Sequence, residues 1–134
     1  MKVFISLLLL IIAGLSSCKD EPRFKKAEDA QDAGREFIRA SLDGDYEKAR
    51  FYLLNDSNDT NLMMLDKWKN GYNRRTVEDK VSYKDASIIA IKVEPIDDST
   101  VNFVYTNTFE PKDTTTIKIV RISGDWLVDL KDIH

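Results

Sequence analysis

Past Arg74 and Arg75 the spacing of apolar side chains changes from three and four residues to two, so any fold of this chain must set helices first and strands second. Before the change, Ala30, Ala33, Gly34, Phe37, Ile38, Ser41 and Leu42 fall on one face of a helix that starts near Ala27. Asp43-Gly44-Asp45 stops it: Gly44 can take the left-handed closing conformation and Asp45 can cap the next helix. That second helix is expected over Tyr46–Leu54, with Ala49, Tyr52 and Leu53 inward. Asn55–Asn61 is a polar break, and Leu62, Leu65, Trp68 and Tyr72 mark a third helix that ends around Gly71.

Beyond the change, Ser87, Ile89, Ile91 and Val93 alternate, and Pro95 with Asp97-Asp98 ends the first strand. Val101, Phe103, Tyr105 and Phe109 share one face of the second strand, and Glu110-Pro111-Lys112-Asp113 turns the chain. Ile117 and Ile119 belong to the third strand, and Ser123-Gly124-Asp125 leads into a fourth that carries Trp126, Val128 and Leu130. Connections this short make neighbours antiparallel, because parallel strands need long crossovers. The expectation is an α+β domain over 27–134: N-terminal helices packed on a curved four-stranded antiparallel β-meander, covering its concave face to make a cone.

The N-terminus reads differently. Lys2 is followed by an almost wholly apolar run, Val3–Ile12, that is shorter than the roughly 20 residues a membrane-spanning helix needs. Residues 1–17 therefore read as a cleavable leader, and their removal leaves 117 of the 134 residues, enough for one core. The chain has a single cysteine, Cys18, so no internal disulfide can form. Residues 18–26, charged and containing Pro22, are expected to be a tether. The formal charge is −3, and −4 without Lys2, with no dense basic cluster of the kind that grips phosphates. Nucleic acid is not an expected partner.

Leu15-Ser16-Ser17-Cys18 resembles the bacterial lipobox, which implies a diacylglyceryl group on the Cys18 sulfur and a membrane partner through that anchor. Lys19-Asp20-Glu21 resembles the export signal of Bacteroidota lipoproteins, which implies the outer membrane and its outer face. As a plain charged tether, the same three residues would hold the domain off the headgroups. Phe37-Ile38-Arg39-Ala40 with Asp43-Gly44-Asp45-Tyr46-Glu47-Lys48-Ala49 resembles the opening of nuclear-transport-factor-2-like domains, also called cystatin-like cones. Gly124-Asp125-Trp126-Leu127-Val128-Asp129-Leu130 is similar to their closing hairpin. Together with the lipobox, the chain resembles an uncharacterised Bacteroidota lipoprotein family, a domain of unknown function. That likeness implies a cone whose open end takes a small ligand, and pairing of two copies through the convex sheet face.

Candidate chemistry is sparse. Enzymes of that superfamily place an acid or a His–Asp pair beside a tyrosine inside the cone. Here the sole histidine is the terminal His134, and Asp129 alternates outward from Val128 and Leu130. No catalytic residue is assigned, and no cofactor is implied. Phe37, Tyr52, Trp68, Tyr105 and Trp126 are the candidate pocket, weighed against ordinary core packing of aromatics. Asn55–Asn61 offers oxygen ligands but lacks the glycine and distal glutamate of a calcium loop, and Ser57 or Asp59 serves better as a helix cap. No metal site is assigned. Lys67, Lys69, Arg74 and Arg75 read as a solvated helix end. Asp98-Ser99-Thr100 and Asp113-Thr114-Thr115 resemble the Bacteroidota O-glycosylation pattern, with Ser99 and Thr114 as acceptors, although polar turns also supply such triplets. The leading expectation is a lipid-anchored, non-enzymatic envelope module that binds a small ligand or another envelope protein. Its rivals are a small isomerase or lyase using a carboxylate–tyrosine pair, and a structural assembly subunit.

Overall fold

A computed structural model describes residues 23–131. The leader, Cys18, Lys19, Asp20, Glu21 and His134 lie outside the described residues. Four helices, α1 (Ala30–Asp43), α2 (Tyr46–Phe51), α3 (Thr60–Asn73) and α4 (Val77–Asp85), precede four strands, β1 (Ile88–Asp97), β2 (Thr100–Asn107), β3 (Thr115–Ile122) and β4 (Asp125–Asp129). The strands form one antiparallel sheet in the order β1-β2-β3-β4. The α+β architecture read from the sequence, helices followed by a four-stranded meander, is the architecture of the chain. Among the described residues no helix is long and apolar enough to cross a membrane.

α1 is the spine. Its buried residues Ala30, Ala33, Gly34, Phe37, Ile38 and Ala40 lie against Phe103, Ile117, Ile119, Val128 and Leu130 from the sheet. A side chain at Gly34 would put its first carbon 2.8 Å from the Ile119 Cδ1 atom, so the small residue sets how closely helix and sheet approach. The helix starts at Ala30, three residues later than the apolar pattern suggests, because the Asp29 carboxylate accepts the Asp32 N–H at 2.7 Å and fixes the first turn there. Gly44 ends it at φ 75°, and Asp45 caps α2 by accepting the Lys48 N–H at 3.1 Å, as the sequence indicated. α2 stops at Phe51; the next residues run beside β4, where the Leu54 N–H donates to Val128 O at 2.8 Å and the Val128 N–H donates to Tyr52 O at 2.7 Å.

Neither Ser57 nor Asp59 caps α3. The Asp56 carboxylate does so, accepting the N–H groups of Thr60 (3.2 Å) and Asn61 (3.0 Å), which holds its pKa below the usual carboxylate value. Asn61 is fully buried; its Nδ2 donates to Leu54 O (3.2 Å) and its Oδ1 accepts the Leu130 N–H (2.8 Å). One side chain thus ties three segments together.

Three expectations are corrected. The stretch after Arg75 is a helix, α4, whose apolar signal is weak because Val77 and Val81 are exposed and only Tyr83 is buried. It is fixed at its ends instead: the Thr76 hydroxyl accepts the Asp79 N–H, and the Arg39 guanidinium donates to the carbonyls of Tyr83 (3.1 Å), Lys84 (3.0 Å) and Ala86 (2.6 Å). In β1, Ile89, Ile91 and Val93 do not share a face. The register skips one residue between Ala90 and Lys92, a bulge at Ile91, so Ile88 and Ala90 face the helices before it and Val93 after it. Phe109 lies beyond β2 in the following loop, where its ring meets Tyr83 edge-on at 4.9 Å. Asp129 points outward by alternation yet is buried, and its Oδ1 accepts the Lys131 N–H.

Candidate functional site

The open end of the fold holds a cleft of about 350 Å³. Its floor is the last turns of α1 (Ile38, Ser41, Leu42), Tyr46 opens α2 beside it, and Trp68, Gly71 and Tyr72 from α3 form one wall. Arg75 and Tyr83 come from the α4 side, and Tyr105, Asn107, Glu110, Asp113 and Thr115 from the end of β2, the loop and the start of β3. Apolar rings and a few polar groups in one concavity are the usual composition of a small-molecule site.

The aromatic wall is built by packing. The Tyr46 and Tyr72 rings lie 5.9 Å apart, Trp68 sits 5.5 Å from the core ring of Phe37, and the Arg75 guanidinium covers the Tyr83 ring at 4.3 Å. Burial pushes the Tyr46 phenol up to about 12, with Tyr72 adding to the rise and Arg75 opposing it. The Tyr105 phenol is raised further by burial, against a hydrogen bond with the Thr115 side chain. Both are neutral O–H donors at physiological pH. Tyr83 is only 6% exposed, and its hydroxyl is the one buried side-chain polar atom that lacks a hydrogen-bond partner among the described residues.

The rim carries charge. Thr106, buried, shares its hydroxyl between Glu110 O (2.9 Å) and Asp113 O (3.0 Å), while Asn107 Oδ1 accepts the N–H groups of Phe109 (3.0 Å) and Glu110 (2.9 Å). This scaffold sets Glu110 and Asp113 on the same rim of the cleft. Partial desolvation, then the neighbouring Asp113 carboxyl, raises the Glu110 pKa, and Arg75 opposes the rise.

The five aromatics proposed from sequence divide. Trp68 and Tyr105 line the cleft. Phe37 is fully buried beneath it. Tyr52 is buried at the opposite end, donating its hydroxyl to Lys25 O at 2.6 Å, and Trp126 also stands there, beside Ala27 and Phe51 in a separate small hollow. Tyr46 and Tyr72 are read from the sequence only as helix residues and Arg75 only as part of a solvated helix end, while Tyr83, Glu110 and Asp113 carry no signal as site residues. Only the i,i+3 spacing of Glu110 and Asp113 across a proline turn hints that two carboxyl groups meet. Ser99 is exposed in the β1–β2 turn and Thr114 is exposed just before β3. Among the described residues no group of three His, Cys, Asp or Glu side chains is disposed to hold a metal ion.

No family model matches the chain, and no curated protein sequence does. A solved structure from Shewanella oneidensis, described as an NTF-2-like protein of unknown function, is similar at a TM-score of 0.49 and 11% identity over 72% of this chain and 88% of that one.

Proposed function

We propose that this protein is a lipid-anchored component of a bacterial envelope whose domain holds a small, ring-bearing or amphiphilic ligand in the cleft between α1, α3, α4 and the β2–β3 loop. The observation that carries the reading is the unpartnered, buried Tyr83 hydroxyl in a wall of tyrosines. A ligand acceptor there would satisfy a group whose isolation costs about 1–3 kcal/mol. The anchor half rests on the Leu15–Cys18 lipobox, and the outer-membrane half on Lys19-Asp20-Glu21. Four residues separate Cys18 from Arg23, a reach of about 17 Å at full extension. Lys26 pairs with Asp125 and the Phe24 ring packs on Phe51, while Arg23 reaches Glu47, next to the cleft-lining Tyr46, so the tether runs along α2 and leaves from the flank of the domain.

Two measurements test it. Palmitate labelling of the native protein should be abolished by Cys18→Ala; persistent labelling would refute the anchor. Titration with a panel of neutral sugars and aromatic alcohols should change Trp68 fluorescence saturably, more weakly in Tyr83→Phe. An unresponsive cleft across the panel would sink the binding reading. A second reading, acid–base catalysis, is favoured by one observation: Glu110, with its raised pKa, lines the same cleft as Tyr46 and Tyr105. Under it, Glu110→Gln would retain ligand affinity and lose turnover.

A further inference from the structure

We propose that the ligand class of this cleft is a small organic ammonium ion, its cationic head set over the tyrosine faces and against the paired side chains of Glu110 and Asp113. The inference rests on the cleft being a binding site, and adds the charge of what it takes. The charged groups around Glu110 are Asp113 on its own loop, Asp79 from α4, and Arg75 just before α4. Two further carboxylates thus face one guanidinium, and that guanidinium is already laid over the Tyr83 ring. With Glu110 ionised, its carboxylate and those of Asp113 and Asp79 face Arg75 and Lys80, whose ammonium already lies 5.2 Å from the centre of the Tyr72 ring, and the adjoining wall adds the rings of Tyr46 and Trp68. Ring faces and a nearby anion are the two features that hold alkylammonium groups.

The carboxyl pair supplies the driving force. Asp113 is among the groups that raise the Glu110 pKa, so the pair favours holding a proton at Glu110. A permanent cation stabilises the doubly ionised pair in that proton's place, so binding releases the proton to solvent. A neutral ligand gains nothing from the rim. Glu110 and Asp113 are held through their backbone groups by Thr106 and Asn107, so replacing either carboxyl leaves the loop scaffold in place.

The test compares choline with 3,3-dimethylbutan-1-ol, its neutral isostere, by calorimetry and Trp68 fluorescence on the full chain in a neutral detergent. Choline is expected to bind saturably and roughly tenfold more tightly than the isostere, and to lose about that factor in Glu110→Gln and in Asp113→Asn. Its affinity should rise with pH through the raised Glu110 pKa, a dependence absent from Glu110→Gln. Equal affinity for the two compounds would overturn the cation assignment and leave the binding reading standing. Choline affinity unchanged in both variants, or no choline binding at all, would also overturn it. The panel of neutral ligands decides the underlying reading separately.

Discussion

Asn61 shows how much of this fold rests on single polar side chains. Removing its amide in Asn61→Ala leaves the Leu54 carbonyl and the Leu130 N–H buried and unpaired, which should cost roughly 2–4 kcal/mol, read as a lowered midpoint in urea unfolding. Glu110 behaves oppositely. Its pKa is raised in the folded state, so the fold favours its protonated form; that contribution is complete below the unfolded pKa and is lost as pH rises through the folded one. Glu110→Gln, always neutral, should match the wild type in acid and exceed it in stability at neutral pH, in paired thermal melts. Gly44 was legible in the sequence because a left-handed cap favours glycine. The sequence does not reveal its second duty: a first side-chain carbon there would sit 2.4 Å from the Tyr72 ring, one of the cleft walls. Asn61 was illegible for a related reason, since a polar residue in a polar stretch carries no periodicity.

At the scale of elements, α1, β2 and β3 declared themselves because each buries one regular face, whereas α4 did not and β1 was legible as a strand but not in its facing. α4 buries almost nothing and is fixed by Arg39 from 44 or more positions upstream, a contact no local pattern contains. β1 reads as one clean alternation because the bulge at Ile91 leaves no mark in an apolar run. The bulge yields a sharp expectation. Deleting Ile91 joins Ala90 to Lys92 with every remaining side chain still facing as before, so the melting temperature should move by no more than the 4–8 °C that about 1 kcal/mol produces in a domain of this size. Deleting Val104 from β2 turns Tyr105 or Phe103 out of the core and should prevent cooperative melting. The cleft was half legible for the same reason as the fold: Trp68 and Tyr105 lie on periodic faces, while Tyr83, Arg75, Glu110 and Asp113 come from α4, the segment before it and a loop.

For the whole molecule, α1 separates two ends with different chemistry. The β1–β2 and β3–β4 turns share the end where Lys26 and Ala27 pack; the β2–β3 loop and cleft occupy the other. The two flanks of the sheet matter as well. On one, Tyr52–Leu54 occupies the hydrogen-bonding groups of β4; on the other, the Ile91 kink and Pro95, which has no N–H to give, interrupt β1. Neither flank can serve as a template for stitching one molecule to the next. Copies crowded together on a surface would stay separate rather than knitting into ribbons.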